Sequence, residues 1–412
     1  MRTRLPESGS DWPTIKAEMV QLGRGDAKWR DGKTAVYVFN AGDDVAQVQR
    51  EAYALYMSEN GLGPLAFPSL KRMEDEVIDM ALSILHAPED AAGAMTSGGT
   101  DSITMAVKAA RNHARAQRGM NAPGNLVIPY SAHPAFDKAA HLMDVQVRRV
   151  PVGEDLLADV PAMANAIDRE TIMLVGSAPC FPYGLIDDIA ALSAVALERG
   201  LWLHVDACVG GFIAPFVRMN GSDVPPFDFE LPGVASMSAD LHKYGYCAKG
   251  ASTVMFRSDG LYQNMPFDFG DWPGGRMVTP TLAGTRPGGA IAAAWAVMNF
   301  LGRTGYQTKH RQVTNARQAV ERGVRQLGFE VLGSPKLGIV AFSHAQADVI
   351  AVYRHMYRKG WFAGLTTEPK ALHLMLSPVH EGVTDLYLTD LADSLRLAEG
   401  QESDDGFEAR YS

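Results

Sequence analysis

The chain has 412 residues, of which 47% are hydrophobic, and this is enough to build a large domain and a smaller one. Its net charge of −9, from 38 basic and 47 acidic residues, argues against nucleic acid or an anionic membrane surface as a partner. No apolar stretch of about 18 residues could span a bilayer, and residues 1–10 lack the apolar core of a secretory signal, so we expect a cytoplasmic protein. The three cysteines, Cys180, Cys208 and Cys247, are isolated and fit a reducing compartment without disulfides or a zinc site.

The N-terminal part is expected to form an arm and a helix, over residues 1–60. Residues 1–35 are polar and charged and contain several glycines, which favours an irregular arm that packs onto a partner. Apolar residues then recur with helical spacing over residues 45–58, and more strongly over residues 70–85.

The segment TSGGTDS, residues 96–102, precedes a helical pattern and predicts an anion site. Small residues bring backbone N–H groups together at a helix N-terminus, where the helix dipole favours a negative charge. Gly98, Gly99 and Thr100 are therefore candidate ligands for a phosphate group. Ordinary helix capping by the hydroxyl side chains is the other interpretation.

Two polar side chains follow apolar runs that are typical of buried parallel strands. His133, in SAHPAF, follows the strand predicted at residues 125–128, and its ring can stack on a planar ligand. Asp206, in HVDACVGGF, follows the strand predicted at residues 201–205, at the end where ligands bind in open α/β sheets. A carboxylate there can pair with a protonated pyridine nitrogen. His204, inside the same strand, is interpreted as structural.

Lys243 is the residue on which the functional prediction depends. It lies in SADLHKYG, just after the strand predicted at residues 235–238 and 37 positions beyond Asp206. A lysine in a pocket at a strand end can be desolvated, which lowers its pKa and frees the amine to form a Schiff base. With the phosphate, ring and nitrogen candidates upstream, Lys243 predicts a pyridoxal 5'-phosphate site.

Strands and helices alternate between about residues 93 and 257, which predicts a mostly parallel sheet in a large domain over residues 61–300. An Ala-rich helix at residues 288–301 leads to a smaller C-terminal α+β domain over residues 301–398. The elements predicted there are helices at residues 313–327 and 381–397 and strands at residues 329–332, 339–342 and 371–376. Residues 399–412 carry five carboxylates and are expected to form a disordered acidic tail.

Six segments together resemble the sphingosine-1-phosphate lyases of the group II pyridoxal-phosphate-dependent decarboxylase family. They are GGTDS (98–102), SAHPAF (131–136), HVDACVGGF (204–212), PFDF (226–229), SADLHKYGYCAKG (238–250) and PTLAGTRPGG (280–289). The resemblance runs from about residue 37 to about residue 393, in the same order. It implies a fold-type-I homodimer with active sites shared between two chains.

The resemblance also implies roles for individual residues. The cofactor would be bound by Lys243, by Asp206 at the pyridine nitrogen, by His133 on the ring, and by Gly99, Thr100 and His242 near the phosphate. Thr285 matches a position that reaches the cofactor phosphate of the neighbouring subunit. Tyr37 matches an active-site tyrosine, and Asn60 and Lys249 match an asparagine and a second lysine of the lyase substrate site.

The substrate site departs from the family pattern at Gly63, where the lyases carry a histidine. Losing an imidazole removes a proton-transfer group or a donor to the substrate phosphate, at a typical cost of about 10²-fold in rate. Phe181 and Tyr183 also stand where other residues are common in the family. The cofactor site is thus expected to be complete and the substrate site altered.

The predicted activity is retro-aldol cleavage of a 2-amino-3-hydroxy compound, such as a sphingosine-1-phosphate-like phosphorylated amino alcohol, to an aldehyde and an amine. An amino-acid decarboxylase is the alternative, with transamination behind it. A third interpretation is that the protein binds the cofactor without catalysing a reaction. This is disfavoured by the presence of Lys243, Asp206 and His133.

Overall fold

The computed structural model of the chain describes residues 2–120 and 123–400. The helices span Trp12–Leu22 (α1), Asp43–Leu55 (α2), Pro68–Ile84 (α3), Gly99–Arg118 (α4), Ala135–Met143 (α5), Val160–Asn165 (α6), Ile189–Arg199 (α7), Ala214–Met219 (α8), Asp259–Tyr262 (α9), Gly288–Gln326 (α10), Val349–Arg358 (α11) and Thr384–Ala398 (α12). The strands span Ala92–Thr96 (β1), Asn125–Pro129 (β2), Gln146–Val150 (β3), Thr171–Ser177 (β4), Trp202–Asp206 (β5), Val234–Ala239 (β6), Ser252–Phe256 (β7), Phe267–Phe269 (β8), Met277–Thr279 (β9), Phe329–Val331 (β10), Ile339–His344 (β11), Gly364–Thr367 (β12) and Lys370–Met375 (β13).

A seven-stranded sheet forms the centre of the large domain, in the order β1-β7-β6-β5-β4-β2-β3. The pairs among β6, β5, β4, β2 and β3 are parallel, and β7 runs antiparallel to both β1 and β6. Every residue of β2, β4, β5 and β7 is buried, because apolar side chains cover both faces of the sheet. The predicted mostly parallel sheet is confirmed.

The C-terminal part is built on a four-stranded antiparallel sheet in the order β10-β11-β13-β12, with α11 and α12 beside it. This confirms the smaller α+β unit. Neither α11 nor β12 was expected, and β12 is a short strand with no buried residue. Of the predicted acidic tail, only residues 399 and 400 lie within the described residues.

The two predicted helices at residues 288–301 and 313–327 are joined in the structure as α10. Its only non-helical residue is Gly302, at φ 52° and ψ −174°, a backbone conformation that glycine adopts without the steric cost of a side chain. The predicted domain boundary at residues 300/301 lies next to this kink, and it stays a prediction.

The irregular arm predicted over residues 1–35 contains a helix, α1, so that expectation was wrong in part. The Asp11 side chain caps the helix by accepting a hydrogen bond from the amide of Thr14 at 2.8 Å. No residue of α1 is buried against the rest of the chain, and the side chains of Trp12, Met19 and Leu22 are exposed. Among the described residues, no helix combines the length and the apolar character that crossing a bilayer requires.

Candidate active site

The carboxyl ends of five strands meet around a cavity of about 360 Å³. The loops that follow β1, β2, β4 and β6 contribute Gly98, His133, Phe181 and Lys243 to its lining, in that order, and β5 contributes its last residue, Asp206. Parallel strands bring their carboxyl ends to one edge of a sheet, so residues far apart in the sequence meet there. The structure therefore brings the predicted lysine, carboxylate, imidazole and glycine loop together.

Lys243 is held by a buried carboxylate that the sequence did not reveal as a site residue. Its Nζ lies 2.9 Å from Oδ2 of Asp240, and Oδ1 of the same carboxylate accepts a hydrogen bond from Ser252 Oγ at 2.5 Å. Burial acts to raise the pKa of Asp240, but Lys243 and His242 outweigh it and hold that pKa below its ordinary value. Asp240 therefore stays ionised and pairs with the amine of Lys243.

The glycine loop forms a cradle at the N-terminus of α4. No side chain caps this end of the helix. A Cβ added to Gly99 would lie 2.8 Å from Sγ of Cys208 and 2.9 Å from Oδ2 of Asp240, so only glycine allows the loop to approach this closely. His242 borders the same loop, and its buried Nδ1 has no hydrogen-bond partner within the described residues. Free helix N–H groups and an unpaired imidazole nitrogen fit the phosphate of pyridoxal phosphate.

Asp206 and His133 provide the groups that fit the cofactor ring. Asp206 is buried, and its Oδ1 accepts hydrogen bonds from the amide of Cys208 at 3.1 Å and from Ser238 Oγ at 3.4 Å. Nδ1 of His133 accepts from the amide of Ala135 at 3.1 Å, which fixes the plane of the ring. Burial lowers the pKa of His133 despite the opposing charge of Asp206, so the ring is neutral at neutral pH. A neutral imidazole is suited to stacking on an aromatic ligand.

The ammonium of Lys249 contacts the backbone of Tyr37 and His242; His242 lines the cavity, whereas Lys249 does not. Nζ of Lys249 donates hydrogen bonds to the carbonyl of Tyr37 at 2.8 Å and to that of His242 at 3.5 Å, and lies 5.4 Å from the ring centre of Phe39. Partial enclosure of the ammonium and the positive charge of Lys243 lower the pKa of Lys249. Both partners of Lys249 are carbonyls, so its charge is not neutralised by a carboxylate hydrogen bond.

A second chamber, of about 530 Å³, adjoins the cofactor cavity and shares His133 and Phe181 with it. Tyr37, Tyr130 and Leu365 are among its other lining residues, so its walls are largely aromatic and apolar. A largely apolar chamber of this size, next to the cavity that Lys243 lines, is suited to an organic substrate.

Asn60 and Thr285 lie together, but not in the cavity of their own chain. Asn60 pairs with Pro287 in an isolated β-bridge, and the amide of Gly61 donates to the carbonyl of Arg286 at 3.0 Å. Thr285 is exposed next to this contact. Neither Asn60 nor Thr285 lines the cavity or the chamber.

Two arginines that support the site were missed in the sequence. Arg286 is buried and forms a two-point ion pair with Glu74, with one N–O distance of 2.9 Å, which anchors the segment that carries Thr285. Arg149, on β3, donates to the carbonyls of Tyr130 at 2.8 Å and Ala132 at 3.0 Å and so fastens the loop that carries His133. Neither arginine has a local sequence signal, because each acts on a segment that only the folded chain brings near.

Comparison with known proteins agrees with this geometry. The family model "Pyridoxal-dependent decarboxylase conserved domain" matches residues 3–345. The sphingosine-1-phosphate lyase of Arabidopsis thaliana is 40% identical over 400 residues, which cover 95% of this chain and 73% of that protein. The solved structure of a sphingosine-1-phosphate lyase from Burkholderia pseudomallei aligns with a TM-score of 0.93 at 37% identity, over 97% of this chain and 93% of that chain. A protein of Methanothermobacter thermautotrophicus named "Probable L-tyrosine/L-aspartate decarboxylase" is 32% identical over 359 residues, 85% of this chain and 94% of that protein.

Proposed function

We propose that this chain cleaves a phosphorylated 2-amino-3-hydroxy compound by retro-aldol chemistry. The chain belongs to the pyridoxal-dependent decarboxylase family and is a pyridoxal-phosphate-dependent lyase similar to the sphingosine-1-phosphate lyases. The products are an aldehyde and a phosphorylated amine. Amino-acid decarboxylation is the competing activity, favoured by the archaeal relative whose name refers to a decarboxylase.

The residues of the cavity supply the binding groups for the cofactor. Bound pyridoxal phosphate acts as an electron sink for negative charge at the substrate α-carbon. Lys243 would offer the amine that binds it covalently, and the carboxylate of Asp240, 2.9 Å from that amine, would hold it in position. Asp206 would pair with the ring nitrogen, His133 would stack on the ring, and the N-terminus of α4 with His242 would hold the phosphate.

The observation that carries the proposed activity is the position of Lys249. Its ammonium donates to the carbonyl of Tyr37, which lines the aromatic chamber, and to the carbonyl of His242, which lines the cofactor cavity. A cation there can bind the phosphate of a substrate whose amine reaches Lys243. The chamber beyond Tyr37 offers room for the apolar part of the substrate. Tyr37 is our candidate for contact with the reacting hydroxyl.

We further propose a homodimer with shared active sites. Asn60 and Thr285 lie beside the contact between residues 60–61 and 286–287, outside the cavity of their own chain, and Gly63 follows Asn60 by three residues. The hairpin β8–β9 and helix α1 carry further exposed aromatic side chains, among them Phe267, Trp272 and Trp12. In a dimer these surfaces can be buried, and Thr285 can reach the phosphate site of the neighbouring chain.

The compartment is proposed to be the cytoplasm. The three cysteines are free thiols and all are buried. Burial raises the pKa of Cys180 to about 12, so this thiol stays protonated and unreactive at neutral pH. A protein with only unpaired cysteines has no need of an oxidising compartment.

Product identity tests the proposed activity. The purified protein, reconstituted with pyridoxal phosphate, is incubated in parallel with sphingosine 1-phosphate, with shorter phosphorylated amino alcohols and with a panel of amino acids. We expect stoichiometric aldehyde and phosphorylated amine from at least one amino alcohol, because the site pairs a lysine for the phosphate with an apolar chamber. Release of carbon dioxide from an amino acid, without aldehyde from any amino alcohol, would establish the decarboxylase instead.

Gly63→His is expected to raise cleavage of a long-chain phosphorylated amino alcohol by about tenfold or more, because it restores an imidazole where the lyases carry one. The structure accommodates the side chain, since a Cβ on Gly63 would meet only Cβ of Ala66, at 3.8 Å. The measurement is kcat/KM for sphingosine 1-phosphate. The native substrate is then expected to be a different phosphorylated β-hydroxy amine, with a bulkier apolar part.

Leu65→His is the matched control for this substitution, because Leu65 lies in the same turn and is 99% exposed. It introduces the same imidazole without placing it at position 63, so its kcat/KM should equal that of the unmodified protein. Robust cleavage of sphingosine 1-phosphate by the unmodified protein, with no gain from Gly63→His, would show that the imidazole is dispensable here.

A further inference from the structure

A row of four buried polar side chains, joined by hydrogen bonds, leads from the interior of the large domain to Asp206. Trp202 Nε1 donates to Ser236 Oγ at 2.7 Å, and Ser236 Oγ lies 2.8 Å from Nδ1 of His204. Nε2 of His204 lies 3.2 Å from Ser238 Oγ, which reaches Oδ1 of Asp206 at 3.4 Å. All four are at most 5% exposed, and none of them lines the cofactor cavity.

The register between β5 and β6 brings the side chains of this row together. His204 is paired with Ser236 and Asp206 with Ser238, in adjacent parallel strands. Side chains two residues apart on a strand point to the same face of the sheet. The alternate residues of Trp202–Asp206 and the two serines of β6 therefore form one row of contacts beneath the cavity.

The two ends of the row determine the order of its protons. An indole nitrogen only donates and an ionised carboxylate only accepts. One arrangement gives every donor an acceptor: Trp202 donates to Ser236, and Ser236 donates to Nδ1 of His204. His204 then donates through Nε2 to Ser238, which donates to the carboxylate. This requires a neutral imidazole with one N–H, and burial does lower the pKa of His204, to about 4.

The row matters because Asp206 is a buried carboxylate with few other partners. Its second donor is the amide of Cys208, which also bonds to Oδ1. Within the part of the chain that the structure describes, Oδ2 accepts no hydrogen bond. Two donors thus hold Oδ1 and fix the orientation of the carboxylate, which leaves Oδ2 available to a donor on a ligand in the cavity.

We infer that this row acts as a relay, meaning a series of hydrogen bonds with a fixed donor order, from Trp202 through Ser236, His204 and Ser238. The relay positions the carboxylate of Asp206 for the ring nitrogen of the cofactor. The inference rests on the proposed role of Asp206. His204 and Ser238 are thus positioning residues, which act through Asp206 and make no contact with the cofactor themselves. His204, interpreted as structural in the sequence, acquires a functional role in this way.

The test measures how fast pyridoxal phosphate leaves the holoenzyme, followed by the loss of its visible absorption after dilution into a trap for free cofactor. Ser238→Ala is expected to speed release about tenfold or more, because it removes a buried hydrogen bond to a charged group. His204→Phe keeps an aromatic ring in contact with Phe136 and should speed release to a similar extent as Ser238→Ala. In the row, Ser238 lies between His204 and Asp206. Trp202→Phe, at the far end, should act in the same direction but less.

Coupling and controls distinguish a relay from general loosening of the core. In the double variant of Ser238→Ala and His204→Phe, the two effects should be clearly less than additive, because each breaks the same connection. Ser193→Ala removes another buried hydroxyl, which accepts from the amide of Gly233 at 2.9 Å away from Asp206, and should leave the release rate unchanged. The thermal midpoint of each cofactor-free variant is recorded, so that lost stability is not mistaken for lost cofactor affinity.

Asp206→Ala separates failure of the relay from failure of the site assignment. If Asp206→Ala speeds release but Ser238→Ala stays within about twofold of the unmodified protein, the relay is refuted while the role of Asp206 stands. If Asp206→Ala itself leaves the release rate and the visible absorption unchanged, the assignment of Asp206 to the cofactor is wrong, and the relay falls with it.

Discussion

Lys243→Ala is expected to abolish covalent attachment of pyridoxal phosphate and to reduce activity by about 10³-fold or more, because it removes the nucleophile that binds the cofactor. In the unmodified protein, borohydride reduction followed by peptide mass spectrometry should find the cofactor on the peptide that contains Lys243. The variant should show no visible absorption after the same treatment and dialysis.

Lys249→Ala is the control for that experiment. It removes a second lysine near the cavity, so attachment to Lys243 should persist while KM for a phosphorylated substrate rises. Asp240 keeps its hydrogen bond from Ser252 in the Lys243→Ala variant, and a thermal melt will report whether the fold survives the loss of the ion pair. Cofactor attached at Lys249 in the unmodified protein would contradict the central assignment.

Mixing inactive Lys243→Ala protein with inactive Thr285→Trp protein is expected to restore about a quarter of the normal activity. The estimate assumes random assembly, in which half of the dimers are hybrids and one of the two sites in each hybrid is intact. Thr285 is exposed on the single chain, so tryptophan there leaves the core unchanged while it blocks the proposed phosphate site of the neighbour. Activity is measured first on the unfractionated mixture after co-expression with two different affinity tags. The isolated doubly tagged dimer contains only hybrids and should therefore have about half of the normal activity.

The matched control mixes Lys243→Ala with Asp206→Ala. Both residues line the cavity of one chain, so neither site of that hybrid is intact and no activity should return. Recovery in the first mixture but not in the control identifies a site shared between chains. A fully active monomer in sedimentation would refute the shared site.

Much of the cofactor site could be predicted because it depends on strand ends. Asp206 and His133 each follow a short apolar run, and Lys243 follows another, so the topology of a parallel sheet brings them to one edge whatever the details of packing. The role of Gly98 and Gly99 could also be predicted from a local pattern. Two glycines where a loop enters a helix leave backbone N–H groups available to an anion.

Other groups of the site carry no local signal. Asp240 precedes Lys243 by three residues, but its pairing depends on the turn that brings its carboxylate to Nζ. Arg149 supports the loop of His133 only because β3 lies next to β2 in the sheet. The segment of residues 1–35 was misread in part because its helix lacks the amphipathic burial that makes a helix visible in a sequence.

The sequence by itself determined the class of sheet and predicted the cofactor with Asp206, His133 and Lys243, because these depend on hydrophobic periodicity and on side chains at strand ends. Only the tertiary structure decided which polar groups support them. The row from Trp202 to Asp206 exists because β5 pairs with β6 in one register, and a shift of one residue would point every second side chain to the other face. Likewise, Thr285 and Asn60 meet outside the cavity because residues 60–61 and 286–287 pair with each other. Contacts of this kind follow from long-range packing, which local patterns in a sequence do not encode.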